Sequence, residues 1–361
     1  MGSDPVAVVV EEDENVGGDD AAGNTGNAGL ERVRLVPKNN DFGFAKTAEE
    51  PWTNRKTQNL VLGVLVLALA AWAWVVWKPI VAQELTIGYR EDLAKELVAY
   101  AAVVSCPEPS VLETWSCKMC VDGVTPIAAP PRLESVAVIK DNADVNQALV
   151  GYEAQSARVI VSFRGSVAIA QWIYDLDVTP MHVYCKDCLV HQGFYLSWKD
   201  LRQDVMAHVE EIARTRPVRQ VHVTGHSLGA AMAVHAGLAL RQAGYTVQGY
   251  TFGQPRVGNA AFAKYASTVL PQWFRVVNYL DPIPQAPKLP LFYHHMATEV
   301  YYYSRPSPGQ DPGPYRVCSH DNGEDPTCQN AECGGLHLCI DGQFHVTYMN
   351  LPGITNVSAL C

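Results

Sequence analysis

Residues 220–241 read Gln-Val-His-Val-Thr-Gly-His-Ser-Leu-Gly-Ala-Ala-Met-Ala-Val-His-Ala-Gly-Leu-Ala-Leu-Arg. Val221 and Val223 alternate as in a strand. Ala230, Ala231, Ala233 and Ala236 follow as a small-residue helix able to pack close to a sheet. Between them stands Gly225-x-Ser227-x-Gly229. This is the strand-turn-helix setting of a nucleophile elbow. Neighbouring side chains would clash in so tight a turn, and the two glycines remove the clash. Ser227 then projects its hydroxyl beyond the sheet edge, and Leu228 offers its backbone N–H to a developing oxyanion.

Outward from this segment, the same alternation of periods recurs. Glu91 to Val104 carries apolar residues at helical spacing. Segments 136–139, 148–152, 159–163, 249–252, 274–279 and 299–303 read as strands, and 193–214 as a long helix. Strands alternating with helices predict an α/β fold, with a central, mostly parallel sheet flanked by helices. Residues 304–343, rich in Pro, Gly, Asp and Cys, predict a long disulfide-held loop region.

The chain has 361 residues and a net charge of −10. Residues 1–57 hold 11 acidic against 6 basic residues, so half of that charge lies in the first sixth of the chain. That segment has no apolar period and reads as a disordered acidic tail. No basic stripe points to nucleic acid. Leu60 to Trp77 then runs 18 residues without a charge, close to the ~20 needed to cross hydrocarbon. Trp72, Trp74 and Trp77 crowd one end, as interfacial aromatics do. Residues 58–78 therefore read as a signal anchor, with a leader cleaved near Ala82 as the rival reading. A single-pass type II topology would put residues 83–361 in the secretory lumen or outside the cell.

All ten cysteines (106, 117, 120, 185, 188, 318, 328, 333, 339 and 361) follow that segment. Such a distribution argues for disulfides in an oxidising compartment. The Cys-x-x-Cys pairs 117/120 and 185/188 also admit a zinc reading. Asn356-Val-Ser358 is the one glycosylation sequon.

A serine needs a base, and the base a carboxylate to hold its tautomer. In elbow hydrolases the chain order is Ser, acid, His. Asp281, in Asn278-Tyr-Leu-Asp-Pro-Ile-Pro284, sits just past an apolar strand. The histidines after it are His294, His295, His320, His337 and His345. His294 and His295 adjoin a strand and read as packing or hydrogen-bonding residues. His320 lies in an acidic loop. Position alone does not separate His337 from His345.

From about Asp92 onward the chain resembles the filamentous-fungal, class 3 type of triacylglycerol lipase in the α/β-hydrolase superfamily. The segments that carry the resemblance occur in order: Val161-Ser-Phe-Arg-Gly-Ser166, Trp172-Ile-Tyr-Asp-Leu176 and Val190-His-Gln-Gly-Phe-Tyr195 come first. Val223-Thr-Gly-His-Ser-Leu-Gly-Ala230, Tyr250-Thr-Phe-Gly-Gln-Pro-Arg-Val-Gly-Asn259, Val277-Asn-Tyr-Leu-Asp-Pro-Ile-Pro284 and His294-His-Met-Ala-Thr-Glu-Val300 follow. The resemblance implies a late His-x-x-Tyr, which His345-Val-Thr-Tyr348 fits and His337-Leu-Cys-Ile340 does not. It implies Ser227 as nucleophile, His345 as base and Asp281 as its orienting acid. Ser166 and Leu228 become the oxyanion donors, and the segment with Trp172 and Ile173 a lid. Three disulfides are implied, Cys106–Cys361, Cys117–Cys120 and Cys318–Cys328. Cys185/Cys188 and Cys333/Cys339 have no family counterpart, and proximity pairs each locally. No cofactor and no metal are implied, nor an obligate protein partner.

The expected activity is hydrolysis of acylglycerol esters, triacylglycerol foremost, through an acyl-enzyme, on lipid presented at a membrane or droplet. The alternatives are a feruloyl esterase or phospholipase A1-type esterase on the same fold, and a non-catalytic binding module. The anchor is the main departure from secreted relatives.

Overall fold

The computed structural model describes residues 88–166, 178–287, 292–333, 339–351 and 353–361, with Asn59, Leu62, Gly63 and Val66. The chain forms two compact units, Met1–Ala68 and Leu69–Cys361. In the first, the four described residues are helical and exposed. Most of the 58–78 span falls outside the described residues, as do the tail expected at 1–57 and the expected lid residues Trp172 and Ile173. Among the described residues no helix is long and apolar enough to cross a membrane.

The second unit is built on an eight-stranded sheet. Its strands are β1 (Leu133–Lys140), β2 (Gln147–Glu153), β3 (Arg158–Phe163), β6 (Gln220–His226), β7 (Val247–Phe252), β9 (Trp273–Asn278), β11 (Glu299–Tyr302) and β12 (Tyr315–Val317). They lie side by side in that order. The sheet is mixed, with the expected parallel centre and antiparallel edges. Strands β3, β6, β7, β9 and β11 run parallel. The β1–β2, β2–β3 and β11–β12 pairs at the two edges are antiparallel. The edges are hairpin-like additions, whose alternation alone does not announce direction. A second, four-stranded sheet joins β10 (Tyr293–His294), β8 (Gly258–Asn259), β5 (Leu189–His191) and β4 (Pro180–His182).

Central strands are buried on both faces, and neighbouring residues go to opposite layers. Val159, Val161 and Phe163 enter one core while Ile160 enters the other. Against the first face lie α4 (Gln192–Thr215) and α5 (Leu228–Gln242); against the other lies α1 (Glu91–Val103). Short helices α2 (Pro109–Glu113) and α3 (Lys118–Val121) follow α1. Phe194, Trp198, Leu201, Val205, Val209 and Ile212 give α4 a single apolar stripe at three- and four-residue steps. Helix α5 is buried all round from Gly229 to Leu240, which explains its small residues. Helix α6 (Ala260–Val269) starts at Asn259, whose side chain accepts from Phe262 N at 2.9 Å. Helices α7 (Gln329–Cys333) and α8 (Val357–Leu360) complete the unit.

All ten cysteines are paired: 106–361, 117–120, 185–188, 318–328 and 333–339. The zinc reading of the two Cys-x-x-Cys pairs is thereby corrected, because sulfurs bonded to each other offer no thiolate ligand. The expected loop at 304–343 carries two of these bonds, and also forms β12 and α7. Cys106–Cys361 spans 255 residues and ties the end of the first helical layer to the C-terminus. Loop-closure entropy assigns it about 5 kcal/mol. The double variant Cys106→Ala/Cys361→Ala is therefore expected to melt well below the parent. Equal melting temperatures by calorimetry would contradict this.

Two buried imidazoles set a second expectation. His222 accepts from Arg158 Nη1 at 3.2 Å, and burial, aided by that guanidinium, pushes its pKa down to about 3. His235 sits on α5 in ring contact with Tyr184, and burial pushes it down to about 3 as well. Their ordinary value is about 6.5. Between those values the unfolded chain binds more protons than the folded one. Stability is therefore full above pH ~6.5 and is lost as pH falls toward 3. Melting temperature should drop steadily from pH 7 to pH 4, and a flat profile would refute it.

Candidate active site

Four parallel strand ends line one edge of the sheet. Phe163 of β3 is in register with Gly225 of β6, and His226 with Phe252 of β7. Phe252 in turn pairs with Val276 of β9. Ser166, Ser227, Gly253 and Asp281 therefore all emerge at the same sheet edge, where open α/β sheets assemble their sites.

Ser227 has φ 59° and ψ −124°, a conformation uncommon for any residue but glycine. Such strain costs ~1–3 kcal/mol and persists where surroundings over-determine it. Here Ser227 N donates to Phe252 O at 2.9 Å, and Ala230 N to Ser227 O at 3.0 Å. A Cβ on Gly229 would lie 2.1 Å from Phe163 O, so the helix can approach β3 only with glycine there. Leu228 is the first residue of α5, so its N–H has no acceptor within the helix. Ser166 is half-buried three residues beyond the end of β3.

Asp281 follows β9 by three residues and is fully buried. Its Oδ1 accepts from Ile283 N at 2.8 Å, the side-chain turn that Pro282 favours. Its Oδ2 accepts from His345 Nδ1 at 2.8 Å and from the Tyr348 hydroxyl. Burial, and then the Asp281 charge, raises the Tyr348 pKa well above its ordinary value, so the phenol remains a donor. Gln329 Nε2 donates to the carbonyls of Asp281 at 2.8 Å and of Tyr279 at 3.1 Å. Glu324 grips Arg256 through both oxygens at 2.7 and 2.9 Å. Arg256 Nη1 in turn donates to the carbonyls of Gln285 and Pro287. The loop closed by Cys318–Cys328 thus braces the turn that carries the acid.

His345 ends a 3-10 turn at Gly342–Phe344 and is also fully buried. Asn278 Nδ2 donates to the carbonyls of Phe344 at 2.9 Å and Thr347 at 2.5 Å, bracketing His345. Gly253 has φ +60°, and a Cβ there would lie 2.7 Å from His345 Cε1. In the neutral ring, an Nδ1–H donated to Asp281 puts the lone pair on Nε2, where a general base needs it. Neither that nitrogen nor Ser227 Oγ has a hydrogen-bond partner among the described residues.

The structure thus brings Ser227, Asp281 and His345 to one sheet edge. The rivals lie elsewhere. His295 Nε2 donates to Pro284 O at 2.7 Å, His294 Nδ1 to Phe292 O, and His320 pairs with Thr298 Oγ1. His337 falls outside the described residues. Sequence reasoning missed Tyr348, Asn278 and Gln329. Tyr348 was in view as the last letter of His-x-x-Tyr, and Asn278 stands three residues before the acid. Gln329 left no signal, since nothing local ties it to Asp281.

A strained serine at the end of a central parallel strand, with its helix behind it, defines the α/β-hydrolase class. Solved structures agree. The triacylglyceride lipase of Rhizomucor miehei is 26 % identical with a TM-score of 0.62, over 74 % of this chain and 98 % of that one. A triacylglycerol lipase whose catalytic centre is a serine-protease triad is 27 % identical with a TM-score of 0.61, over 73 % and 95 %. Residues 160–290 match the class 3 lipase family. The secreted mono- and diacylglycerol lipase A of Penicillium cyclopium is 33 % identical over 203 residues, 55 % of this chain and 64 % of that protein. Over this part of its length the chain is similar to class 3 lipases of the fungal type. It spans a little under two thirds of the length of that Penicillium relative.

Proposed function

We propose that this protein is a serine-dependent carboxylic ester hydrolase acting on acylglycerols, triacylglycerol foremost. One observation carries the reading: His345 Nδ1 bonded to buried Asp281 at 2.8 Å, at the sheet edge where the strained Ser227 elbow emerges. In this reading His345 Nε2 takes the Ser227 proton as Oγ attacks the ester carbonyl. Asp281 stabilises the imidazolium, which then protonates the departing glyceride oxygen. Backbone N–H groups of Leu228 and Ser166 hold the oxyanion, each such donor worth ~3–4 kcal/mol of barrier. Water enters by the same route and releases the fatty acid. The named acylglycerol specificities of the relatives support the substrate class.

All three reacting residues are fully buried. Substrate access therefore needs a movement, which we assign to the segment containing Trp172 and Ile173. The domain arrangement we propose is an acidic tail at 1–57, a membrane anchor at 58–78 and the hydrolase domain at 83–361. Five disulfides and the exposed sequon asparagine, Asn356, support a lumenal or extracellular domain. Recovery of a soluble form lacking residues 1–82 would replace the anchor by a cleaved leader, the arrangement that the secreted relatives favour.

The test uses the folded protein on emulsified long-chain triacylglycerol, phospholipid vesicles, a soluble short-chain ester and a feruloyl ester. Hydrolysis blocked by a serine-reactive phosphonate and rising steeply on the emulsion is expected. Activity confined to phospholipid, soluble or feruloyl substrates would move the assignment to the corresponding esterase. No activity from folded protein would leave a binding module.

A further inference from the structure

His226 adjoins Ser227 in the chain and touches His345 in space, without being either. It precedes Ser227 in the chain and ends β6, paired with Phe252 in the sheet register. Its Nε2 lies 2.7 Å from the carbonyl oxygen of His345, 119 residues away. Its ring lies against the His345 ring, centroids 4.3 Å apart and planes 32° from parallel. The Tyr348 ring meets it edge-on at 5.5 Å. A carbonyl can only accept, so Nε2 carries the hydrogen and Nδ1 the lone pair. Nδ1 is buried with no partner among the described residues. Burial, and then repulsion from His345, lowers the His226 pKa well below the ordinary value, so the ring is neutral beside the base.

The other supports of His345 do a different task. Asp281 sets its ring orientation, and Asn278 brackets its backbone from β9. Neither bond reaches the Ser227 elbow. We infer that His226 is a positioning residue that fixes the main chain of the base to the strand end carrying the nucleophile, through the hydrogen bond from Nε2 to the His345 carbonyl. Ser227 and His345 are then held at a common distance through one rigid ring, whatever the loop before His345 does. Its neutrality matters for the same reason. A second positive charge 4.3 Å away would oppose the imidazolium that the reaction forms. This inference rests on the reading of Ser227 and His345 as nucleophile and base.

The experiment compares the full chain with His226→Leu and His226→Gln. Leucine fills the space without a donor, and glutamine carries an N–H that can reach the same carbonyl. Each protein is assayed for kcat and KM on one ester, melted, and inspected by proton NMR for the low-field Nδ1 proton shared by His345 and Asp281. His226→Leu is expected to lose ~10²-fold in kcat at unchanged KM, and His226→Gln to recover to within ~10-fold of the parent. The two variants should melt alike, with the low-field signal displaced in the leucine form alone. A folded His226→Leu with parental kcat would overturn the inference, as would a glutamine variant no better than leucine at equal melting temperature. An inert parent chain would sink the hydrolase reading itself. The positional role would then be judged on the NMR signal, and an unmoved signal in His226→Leu would sink that too.

Discussion

Ser227→Ala is expected to reduce kcat about 10⁶-fold while leaving substrate binding within a few-fold. The hydroxyl has no hydrogen-bond partner among the described residues, so its removal breaks no structural bond. The backbone bonds that hold the elbow, Ser227 N to Phe252 O and Ala230 N to Ser227 O, remain available to alanine. Alanine keeps the strained backbone, so melting temperature should change little. What vanishes is the atom that attacks. The residual rate would report the oxyanion donors acting on water, ~10³–10⁴ over the uncatalysed reaction. Rates on a soluble ester, with melting curves alongside, decide it. Activity within tenfold of the parent would remove Ser227 from the chemistry.

Asp281→Asn is expected to cost ~10⁴ in kcat. The carboxylate accepts on both oxygens: Ile283 N on Oδ1, His345 Nδ1 and Tyr348 on Oδ2. An amide has one acceptor and one donor end. If its oxygen faces His345, its NH₂ meets the Ile283 N–H and loosens the turn. If its NH₂ faces His345 and Tyr348, it meets two donors. His345 escapes that clash by moving its hydrogen to Nε2, where it can no longer accept from Ser227. Either way the base is misplaced or in the wrong tautomer, and kcat falls with KM nearly unchanged. A variant that folds and retains more than a tenth of the parental kcat would show that Asp281 does not orient the base.

The elbow was legible because it is local: five residues, two of them glycine, between a strand and a helix of small residues. The strands and the long helix were legible for the same reason, each carrying its own period. The acid was found because a strand end followed by Asp-Pro marks a turn. The base was not separable by position. His337 and His345 lie eight residues apart in the sequence, and only the resemblance to a late His-x-x-Tyr chose between them. What stayed invisible is long-range. Gln329 lies 48 residues from Asp281, and Glu324 lies 68 from Arg256. Neither residue type carries a signature of its partner. The direction of the outer strands was invisible too, since alternation reads the same whichever way a strand runs.

The backbone of Ser227 carries one further consequence. At φ 59° the chain holds a residue that would relax if it were glycine, which adopts that conformation freely. Reactivity and robustness are therefore opposed at a single position. A glycine there would delete the hydroxyl and release the strain together, so the molecule would melt higher as it fell silent. Alanine, which inherits the strain, isolates the hydroxyl. The choice of inactive reference thus decides whether the elbow is read as a weak point of the scaffold or as a spring that the rest of the sheet keeps wound.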